Sequence, residues 1–303
     1  MIPQIPKPGR LRYVDDLSDG DVDHLLARAR EFERQRNHSA SCSQNGRLLG
    51  LVFLDASLRT RVGFTAAAAR LGWQTALVSE RRANERSVAE TVSDTIRVIS
   101  GMASVVVARL CQPIAMVADF CMAPLVNGGD AGPHAEHPTQ ALIDLFSIEE
   151  EVGPIGGCHV AICGDLRLRA SRSLLRLLAR RPPRRLSLIS VPELTDDGDL
   201  AALGTPAAER RSLADLSDVD VLYVAGIPHK AIPEDLRGTL RVTGAVLSTM
   251  PPSGVVLSPL PVIDEIDDGA RRDPRIRMFA QSDRAVSMRM AVLEHLVCGP
   301  GAR

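Results

Sequence analysis

Two arginines and two hydroxyl side chains crowd one short stretch of the sequence. In LDASLRTRVGF, an apolar run gives way to a helical pattern at Ser57, Arg59, Thr60 and Arg61. Ser57 can cap this helix, and the free backbone N–H groups of the first turn point beyond the end of the strand. They favour an anion, and arginine and threonine side chains suit a phosphate group. Taken alone, the stretch is more typical of a capped helix with solvated arginines, because arginines are abundant in this chain.

Three further positions carry groups that could meet the same ligand. HPTQ, residues 137–140, follows a predicted strand and opens a helix, and Arg109 ends the predicted strand ASVVVAR. Ligands bind at the carboxyl ends of parallel strands, so we expect these side chains to face one pocket. Arg109 could also simply mark the surface. In SPLP, residues 258–261, two prolines flank a leucine whose backbone carbonyl can be presented to a ligand.

Metal and dinucleotide sites are not expected. His134 and His137 straddle a turn bounded by prolines rather than lying on one helix face, and no third ligand is evident. The segment CGDLRLR lacks the GxGxxG spacing of a dinucleotide fingerprint. The six cysteines form no CxxC pair and are typical of reduced, buried thiols. We therefore expect neither a metal nor a cofactor.

Apolar runs that alternate with helical periods predict the elements that position these residues. The predicted strands are RLLGLVFLDA, TALVS, ASVVVARL, APLVNGG, CHVAICGD, RLSLISV, DVLYVAG and GAVLSTM. The predicted helices are LSDGDVDHLLARAREFERQR, residues 57–71, about 87–100, 114–121, HPTQALIDLFSIEEEVG, a helix from about Ser171, and RAVSMRMAVLEHLV. This alternation predicts two α/β domains with parallel sheets and a cleft between them, divided near GPIGG at 153–157.

Composition narrows the class of partner. Lys and Arg number 36 and Asp and Glu number 37, so no global field favours nucleic acid or an anionic membrane. Aromatic residues make up 3% of the chain, so base-stacking surfaces are scarce. No apolar stretch approaches a membrane span, and the first residues lack the apolar core of a signal peptide. We expect a cytoplasmic protein with small-molecule substrates.

Five segments together resemble the aspartate/ornithine carbamoyltransferase family, and more closely its aspartate branch. They are FLDASLRTRVGFTAAAARLG, HPTQALIDLFSI, GDLRLRASRSLL, SPLPVIDEI and MFAQSDRAVSMRMAVLEHL. The resemblance runs from about residue 12 to 298, and the pair Ser-x-Arg-Thr-Arg and His-Pro-Thr-Gln is highly specific at this separation. It implies a carbamoyl-phosphate-binding domain at 1–150, completed by a helix at 284–303, and an acceptor-binding domain at 151–283.

The resemblance implies a phosphate site built from Ser57, Arg59, Thr60 and the backbone N–H of Leu58. Arg109 would touch both the phosphate and the carbonyl oxygen of carbamoyl phosphate. Donors aimed at an oxygen that gains charge stabilise the transition state.

The remaining roles concern the carbamoyl group and the acceptor. His137, with Thr60, would polarise the carbonyl, while Gln140 and the carbonyl of Leu260 would orient the carbamoyl NH₂ group. Arg169 would bind a carboxylate of the acceptor. The implied catalytic residues are Arg59, Thr60, Arg109 and His137. The resemblance further implies a homotrimer whose sites are shared between subunits.

One departure from the family concerns a lysine that reaches into the neighbouring subunit. Ser87 and Val88 stand where the aspartate branch has its lysine pair. Arg81, Arg82 or Arg86 could substitute, although a guanidinium is not equivalent to an ammonium group.

Other departures affect both substrates. Gly226 and Pro228 replace the Arg-x-Gln that holds a carboxylate of aspartate, and Leu58 removes a hydroxyl from the phosphate site. Losing a charged donor to a dicarboxylate costs several kcal/mol. Further changes are Gly63, Thr65, Ser258 and Val262.

Three hypotheses follow. The leading one is a carbamoyltransferase of specialised metabolism whose acceptor is an amine or hydroxyl other than aspartate. The second is a catalytically silent homologue that serves as a structural or regulatory subunit. The third is a conventional aspartate carbamoyltransferase of pyrimidine biosynthesis with compensating substitutions.

Overall fold

The computed structural model describes residues 9–35, 46–79, 90–196, 198, 207–210 and 212–299. The chain forms two compact units, Met1–Thr139 with Ala285–Arg303 and Gln140–Arg284. Each unit has its own five-stranded sheet, and every strand pairing is parallel. The predicted α/β fold with two parallel sheets is confirmed.

The sheet of the first unit has the strand order β1-β5-β4-β2-β3. Its strands are β1 (Arg10–Leu11), β2 (Leu48–Phe53), β3 (Gln74–Val78), β4 (Val105–Arg109) and β5 (Leu125–Asn127). All residues of β4 and all but the first of β2 are buried. Continuous apolar runs are typical of central parallel strands, which explains why these two were predictable.

The helices of the first unit correspond to predicted helices. They are α1 (Asp19–Arg34), α2 (Leu58–Arg70), α3 (Val92–Ser100) and α4 (Ala115–Ala118). Helix α1 begins with a capping box, in which Ser18 Oγ accepts from the N–H of Asp21 and the Asp21 carboxylate accepts from the N–H of Ser18. One face of α1, which includes Leu25 and Phe32, is buried.

The sheet of the second unit has the strand order β10-β9-β6-β7-β8. Its strands are β6 (His159–Cys163), β7 (Arg185–Ile189), β8 (Ala208–Arg210), β9 (Val221–Val224) and β10 (Val255–Leu257). The remaining helices are α5 (Pro138–Val152), α6 (Arg169–Arg180), α7 (Glu234–Thr239), α8 (Gly244–Thr249) and α9 (Met278–Cys298). The division between the units falls near the start of α5 and again within α9.

The prediction of a strand over GAVLSTM is wrong, because these residues form α8. Thr243 caps this helix, and its hydroxyl oxygen accepts from the N–H of Val246 at 3.3 Å. Leu247 alone is fully buried within α8, as expected for one face of a short helix. A short apolar run does not separate helix from strand, which is why the pattern misled. The sequence also did not predict β1, β8 and β10.

Three helix starts differ from prediction. Helix α3 begins at Val92 after the cap Thr91, whereas residues 87–89 of the predicted helix lie outside the described residues. Helix α6 begins at Arg169, two residues early, and α9 begins at Met278. None of the helices within the described ranges is long and apolar enough to cross a membrane.

Candidate active site

The carboxyl edge of the first sheet collects the predicted phosphate-binding residues. Phe53 at the end of β2 pairs with Arg109 at the end of β4, and the N–H of Leu54 donates to the carbonyl of Arg109 at 2.9 Å. Helix α2 begins shortly after β2, so its first turn lies at the same edge as Arg109. The structure thus brings residues 57–60 and Arg109 together, as predicted from parallel strands.

Ser57 stands at the N-cap position of α2, but the predicted side-chain cap is wrong. Its backbone is extended, with φ −160° and ψ 109°, and its hydroxyl makes no capping hydrogen bond. The N–H groups of the first turn therefore have no side-chain acceptor from Ser57. The side chain of Leu58 is 68% exposed, and that of Arg59 is also exposed. These uncapped donors, with an adjacent guanidinium, suit an anion.

Thr60 and His137 meet inside the first unit. The hydroxyl of Thr60 lies 3.3 Å from Nε2 of His137, and the hydroxyl of Thr139 lies 3.3 Å from Nδ1 of the same ring. Thr60 is 4% exposed and His137 is 6% exposed. A hydroxyl on each ring nitrogen fixes the plane of the imidazole, so both Thr60 and His137 are held in place.

A loop before α5 holds His137, and its anchoring residues were missed by the sequence reasoning. The carboxylate of Asp130 accepts from the N–H groups of Glu136 at 2.9 Å and Ile114 at 2.8 Å. The carboxylate of Glu136 accepts from the N–H of Val14 at 3.0 Å. Two acidic residues in a segment that consists mostly of small residues are the signal that could have revealed this role.

Arg109 is 9% exposed, so the alternative that it simply marks the surface is wrong. Its Nη2 lies 3.0 Å from Oδ2 of Asp55, and its Nη1 donates to the carbonyl of Gly128 at 3.2 Å. Both partners lie just beyond strand ends, at the same edge as α2. The guanidinium is therefore held in one orientation before any ligand binds.

A second buried arginine, which the sequence reasoning missed, lies behind α2. Arg289 of α9 is 3% exposed, and its guanidinium lies over the ring of Phe64 at 5.3 Å from the centroid. A Cβ at Gly63 would collide with Nη1 of Arg289, so only glycine fits there without a shift. Burial, followed by repulsion from Arg59, lowers the pKa of Arg289 to about 10. No carboxylate among the described residues forms an ion pair with it.

The other predicted residues belong to the second unit. Gln140 lies in the first turn of α5, and its Nε2 donates to Oδ1 of Asp144 at 2.7 Å. Leu260 has a left-handed backbone, with φ 58°, and its N–H donates to Oγ of Ser258 at 3.3 Å. Arg169 is the first residue of α6 and is partly buried. Contact of these groups with a substrate stays a prediction.

Two further predictions concern a loop and a metal. Arg81, Arg82, Arg86, Ser87 and Val88 lie outside the described residues. Within the parts of the chain that the structure describes, no group of three or more His, Cys, Asp or Glu side chains could hold a metal ion. His134 is exposed, whereas His137 is buried beside Thr60.

Proteins of similar sequence and structure bear on the identity of this site. The family model described as Aspartate/ornithine carbamoyltransferase, carbamoyl-P binding domain, matches residues 10–150. The aspartate carbamoyltransferase catalytic subunit of Archaeoglobus fulgidus is 33% identical over 296 residues, 94% of this chain and 97% of that protein. The catalytic subunit of M. jannaschii aspartate transcarbamoylase has a TM-score of 0.85 at 30% identity, covering 97% of this chain and 100% of that one. Ornithine carbamoyltransferase from Thermus thermophilus has a TM-score of 0.83 at 26% identity, covering 96% and 99%.

The prediction of an acceptor other than aspartate is wrong. Relatives that match nearly the whole chain at 31% to 33% identity are named aspartate carbamoyltransferase catalytic subunits. The prediction relied on Gly226 and Pro228, which lack the side chains that would hold a carboxylate of aspartate. It failed because a carboxylate can also be held by other cations or by backbone N–H groups. The same relatives count against a silent homologue, since they are named as catalytic subunits. The chain belongs to the aspartate/ornithine carbamoyltransferase family.

Proposed function

We propose that this chain transfers the carbamoyl group of carbamoyl phosphate to the amino group of aspartate. The proposal rests on the buried pair of Thr60 and His137 at the start of α2, where the hydroxyl of Thr60 lies 3.3 Å from Nε2 of His137. A carbonyl oxygen that replaces the contact between these two side chains can accept a hydrogen bond from each of them. The names of the relatives supply the acceptor, since they are aspartate carbamoyltransferases.

The phosphate group binds at the start of α2. The uncapped N–H groups of the first turn and the guanidinium of Arg59 donate to its oxygens. Ser57 adds a hydroxyl that is not engaged in capping the helix. Arg109, already oriented by Asp55 and the carbonyl of Gly128, spans the phosphate and the carbonyl oxygen.

Chemistry begins when the amino nitrogen of aspartate attacks the carbonyl carbon of carbamoyl phosphate. The carbonyl oxygen gains negative charge as the C–N bond forms, and Thr60, Arg109 and His137 stabilise that charge. The C–O bond to phosphate then breaks, and the departing phosphate takes the proton from the amine. The products are N-carbamoyl-aspartate and inorganic phosphate, with all atoms of both substrates accounted for.

Gln140, Leu260 and Arg169 are assigned to the two organic groups. The amide oxygen of Gln140 and the backbone carbonyl of Leu260 accept from the NH₂ of the carbamoyl group, which turns its carbon toward the amine. We assign one carboxylate of aspartate to Arg169, the partly buried first residue of α6. A guanidinium suits a carboxylate because it donates two parallel hydrogen bonds.

The assembly we propose is a homotrimer that shares its sites between subunits. Support comes from the family to which the chain belongs, and the loop that contains Arg81, Arg82 and Arg86 is the segment assigned to the neighbour's site. Light scattering coupled to size-exclusion chromatography tests this directly. A mass of three chains is expected, and a stable monomer with full activity contradicts shared sites.

Acceptor choice is tested by measuring phosphate release from carbamoyl phosphate in parallel with aspartate and with ornithine. We expect release with aspartate at a rate far above the acceptor-free background, and no increase with ornithine. The variant Arg59→Ala serves as the control for release that does not depend on this site. An increase with ornithine but none with aspartate contradicts the proposal.

A further inference from the structure

Asp144, in the middle of α5, is a carboxylate buried among neutral hydrogen-bond donors. Its Oδ1 accepts from Nε2 of Gln140 at 2.7 Å and from Nε2 of Gln281 at 2.6 Å. Its Oδ2 accepts from the hydroxyl of Tyr223 at 2.8 Å. Asp144 is fully buried, and no cation among the described residues forms an ion pair with it. A buried charge without a counter-ion is costly and calls for an explanation.

The carboxylate sets the direction of the Gln140 amide. A carboxylate only accepts hydrogen bonds, so the end of the amide that faces Asp144 must be the NH₂ group. The amide oxygen of Gln140 is thereby turned away from Asp144. It is this oxygen that is assigned to the carbamoyl NH₂ group in the proposed function.

The same carboxylate sets the direction of a second amide. The NH₂ of Gln281 donates to Asp144, which leaves its Oε1 to accept from the backbone N–H of Ser258 at 2.8 Å. Ser258 begins the segment 258–261, and its hydroxyl accepts from the N–H of Leu260 at 3.3 Å. One carboxylate is therefore linked to both groups assigned to the carbamoyl NH₂, the amide of Gln140 and the carbonyl of Leu260.

We propose that Asp144 is a positioning residue that holds Gln140 and the segment 258–261 with their oxygens ready to accept from the carbamoyl NH₂ group. The inference rests on the proposed function, because it assumes that carbamoyl phosphate is the substrate. Asp144 does not touch the substrate itself and acts through the two glutamines. Misplacement of a group that orients the substrate by about 1 Å can cost roughly 100-fold in rate. The hydrogen bonds from Asp144 are therefore expected to have a large effect on turnover.

The pKa of Asp144 is consistent with a functional role for this carboxyl group. Burial raises its pKa to about 7, while the hydrogen bonds from Gln140, Tyr223 and Gln281 act in the opposite direction. A leucine at this helical position would fill similar space without the cost of a buried charge. Strongly shifted groups cluster at functional sites.

The test compares Asp144→Leu, Asp144→Asn and Tyr223→Phe with the wild type in assays for N-carbamoyl-aspartate. Leucine cannot accept from either glutamine, so turnover is expected to fall roughly 100-fold, while the affinity for inorganic phosphate, which binds the first unit, stays unchanged. Asparagine keeps one oxygen that can accept from both amides, so it should restore most of the turnover. Tyr223→Phe removes only the contact to Oδ2, and its turnover is expected within about threefold of the wild type.

A further variant keeps the inference testable if Asp144→Leu does not fold. Gln281→Leu removes the hydrogen bonds that Gln281 makes with Asp144 and with the N–H of Ser258, and it leaves the contact between Gln140 and Asp144 in place. It should lower turnover although Gln281 is not assigned to the substrate. Wild-type turnover in Asp144→Leu overturns the inference. If only Gln281→Leu folds, wild-type turnover in that variant overturns it. Either result leaves the proposed function standing. A wild-type protein that forms no N-carbamoyl-aspartate overturns both.

Discussion

The hydroxyl of Thr60 and Nε2 of His137 lie 3.3 Å apart although 77 positions separate them in the chain. Thr60 belongs to the first turn of α2, and His137 immediately precedes α5. Each follows the end of a parallel strand, so the fold places both at one edge of the first sheet. In the proposed function, this juxtaposition polarises the carbonyl group of carbamoyl phosphate, a role that neither segment suggests by itself.

Arg59→Ala should weaken the binding of inorganic phosphate and of carbamoyl phosphate. Losing a charged contact to an anion costs about 2–5 kcal/mol, which is at least roughly 30-fold in affinity. Isothermal calorimetry measures this loss. Arg61→Ala, on the same helix, is the matched control and should bind nearly as the wild type does. Equal affinities in all three proteins contradict the assignment of the phosphate to α2.

His137→Ala should act on turnover rather than on phosphate binding. Removing one donor to a developing oxyanion lowers kcat about 100- to 1,000-fold, while the affinity for phosphate changes little. Steady-state kinetics and phosphate titration separate the two effects. His134→Ala changes an exposed histidine of the same loop and should leave kcat intact. A variant at His137 with wild-type kcat disproves its role as a donor.

Arg289→Met should raise stability and weaken phosphate binding together. Replacing a buried charge, which pairs with no carboxylate among the described residues, by an apolar side chain removes a desolvation cost, so the melting temperature should rise. The positive field at Arg59 weakens at the same time, and a charge that acts over several ångströms at an effective dielectric constant near 20 contributes on the order of 1–2 kcal/mol. Phosphate affinity should therefore fall roughly tenfold.

Thermal unfolding and phosphate titration of Arg289→Met give both quantities. Arg70→Met changes an exposed arginine at the end of α2 and serves as the control, with neither effect expected. Lower stability together with unchanged affinity would show that Arg289 has only a packing role.

The pKa of Asp144 predicts a pH dependence of stability. Burial raises the pKa of this carboxyl from 3.8 to about 7 in the folded chain. Protonation therefore favours the folded state, an effect that is complete below about pH 4 and is lost as the pH rises through about 7. Between these values the loss is about 1.4 kcal/mol per pH unit. Asp144→Asn stays neutral, so its stability relative to the wild type should grow with pH.

Urea unfolding of the wild type and Asp144→Asn at several pH values from 5 to 8 measures this difference. Because the other titrating groups are common to both proteins, their contributions cancel in the comparison. A difference that stays constant across the range contradicts a raised pKa at Asp144.

The juxtaposition of residues 57–60, Arg109 and His137 was predictable from sequence because its signals are local. Residues 57–60 and 137–140 are compact motifs at strand ends, and Arg109 closes a fully apolar strand. Alternating apolar runs were enough to predict parallel sheets, which then fixed the edge that such motifs share. The strand predicted over GAVLSTM was wrong because so short an apolar run fits the period of a helix as well as that of a strand.

The supporting residues were beyond sequence reasoning because their roles depend on contacts that are distant along the chain. Asp144 meets Tyr223 and Gln281, which are 79 and 137 positions away. Arg289 lies against Phe64 from the far end of the chain. In the sequence both look like polar positions on amphipathic helices. The signal that was present is a single charged residue between apolar neighbours, in ALIDLF and in SMRMAV.

The identity of the reaction product tests the central claim most directly. The purified protein is incubated with ¹³C-labelled carbamoyl phosphate and aspartate, and the products are identified by mass spectrometry and a phosphate assay. The account predicts that the label appears in N-carbamoyl-aspartate in an amount equal to the phosphate released beyond the enzyme-free background. Release of phosphate without labelled N-carbamoyl-aspartate, or no release at all, would contradict it.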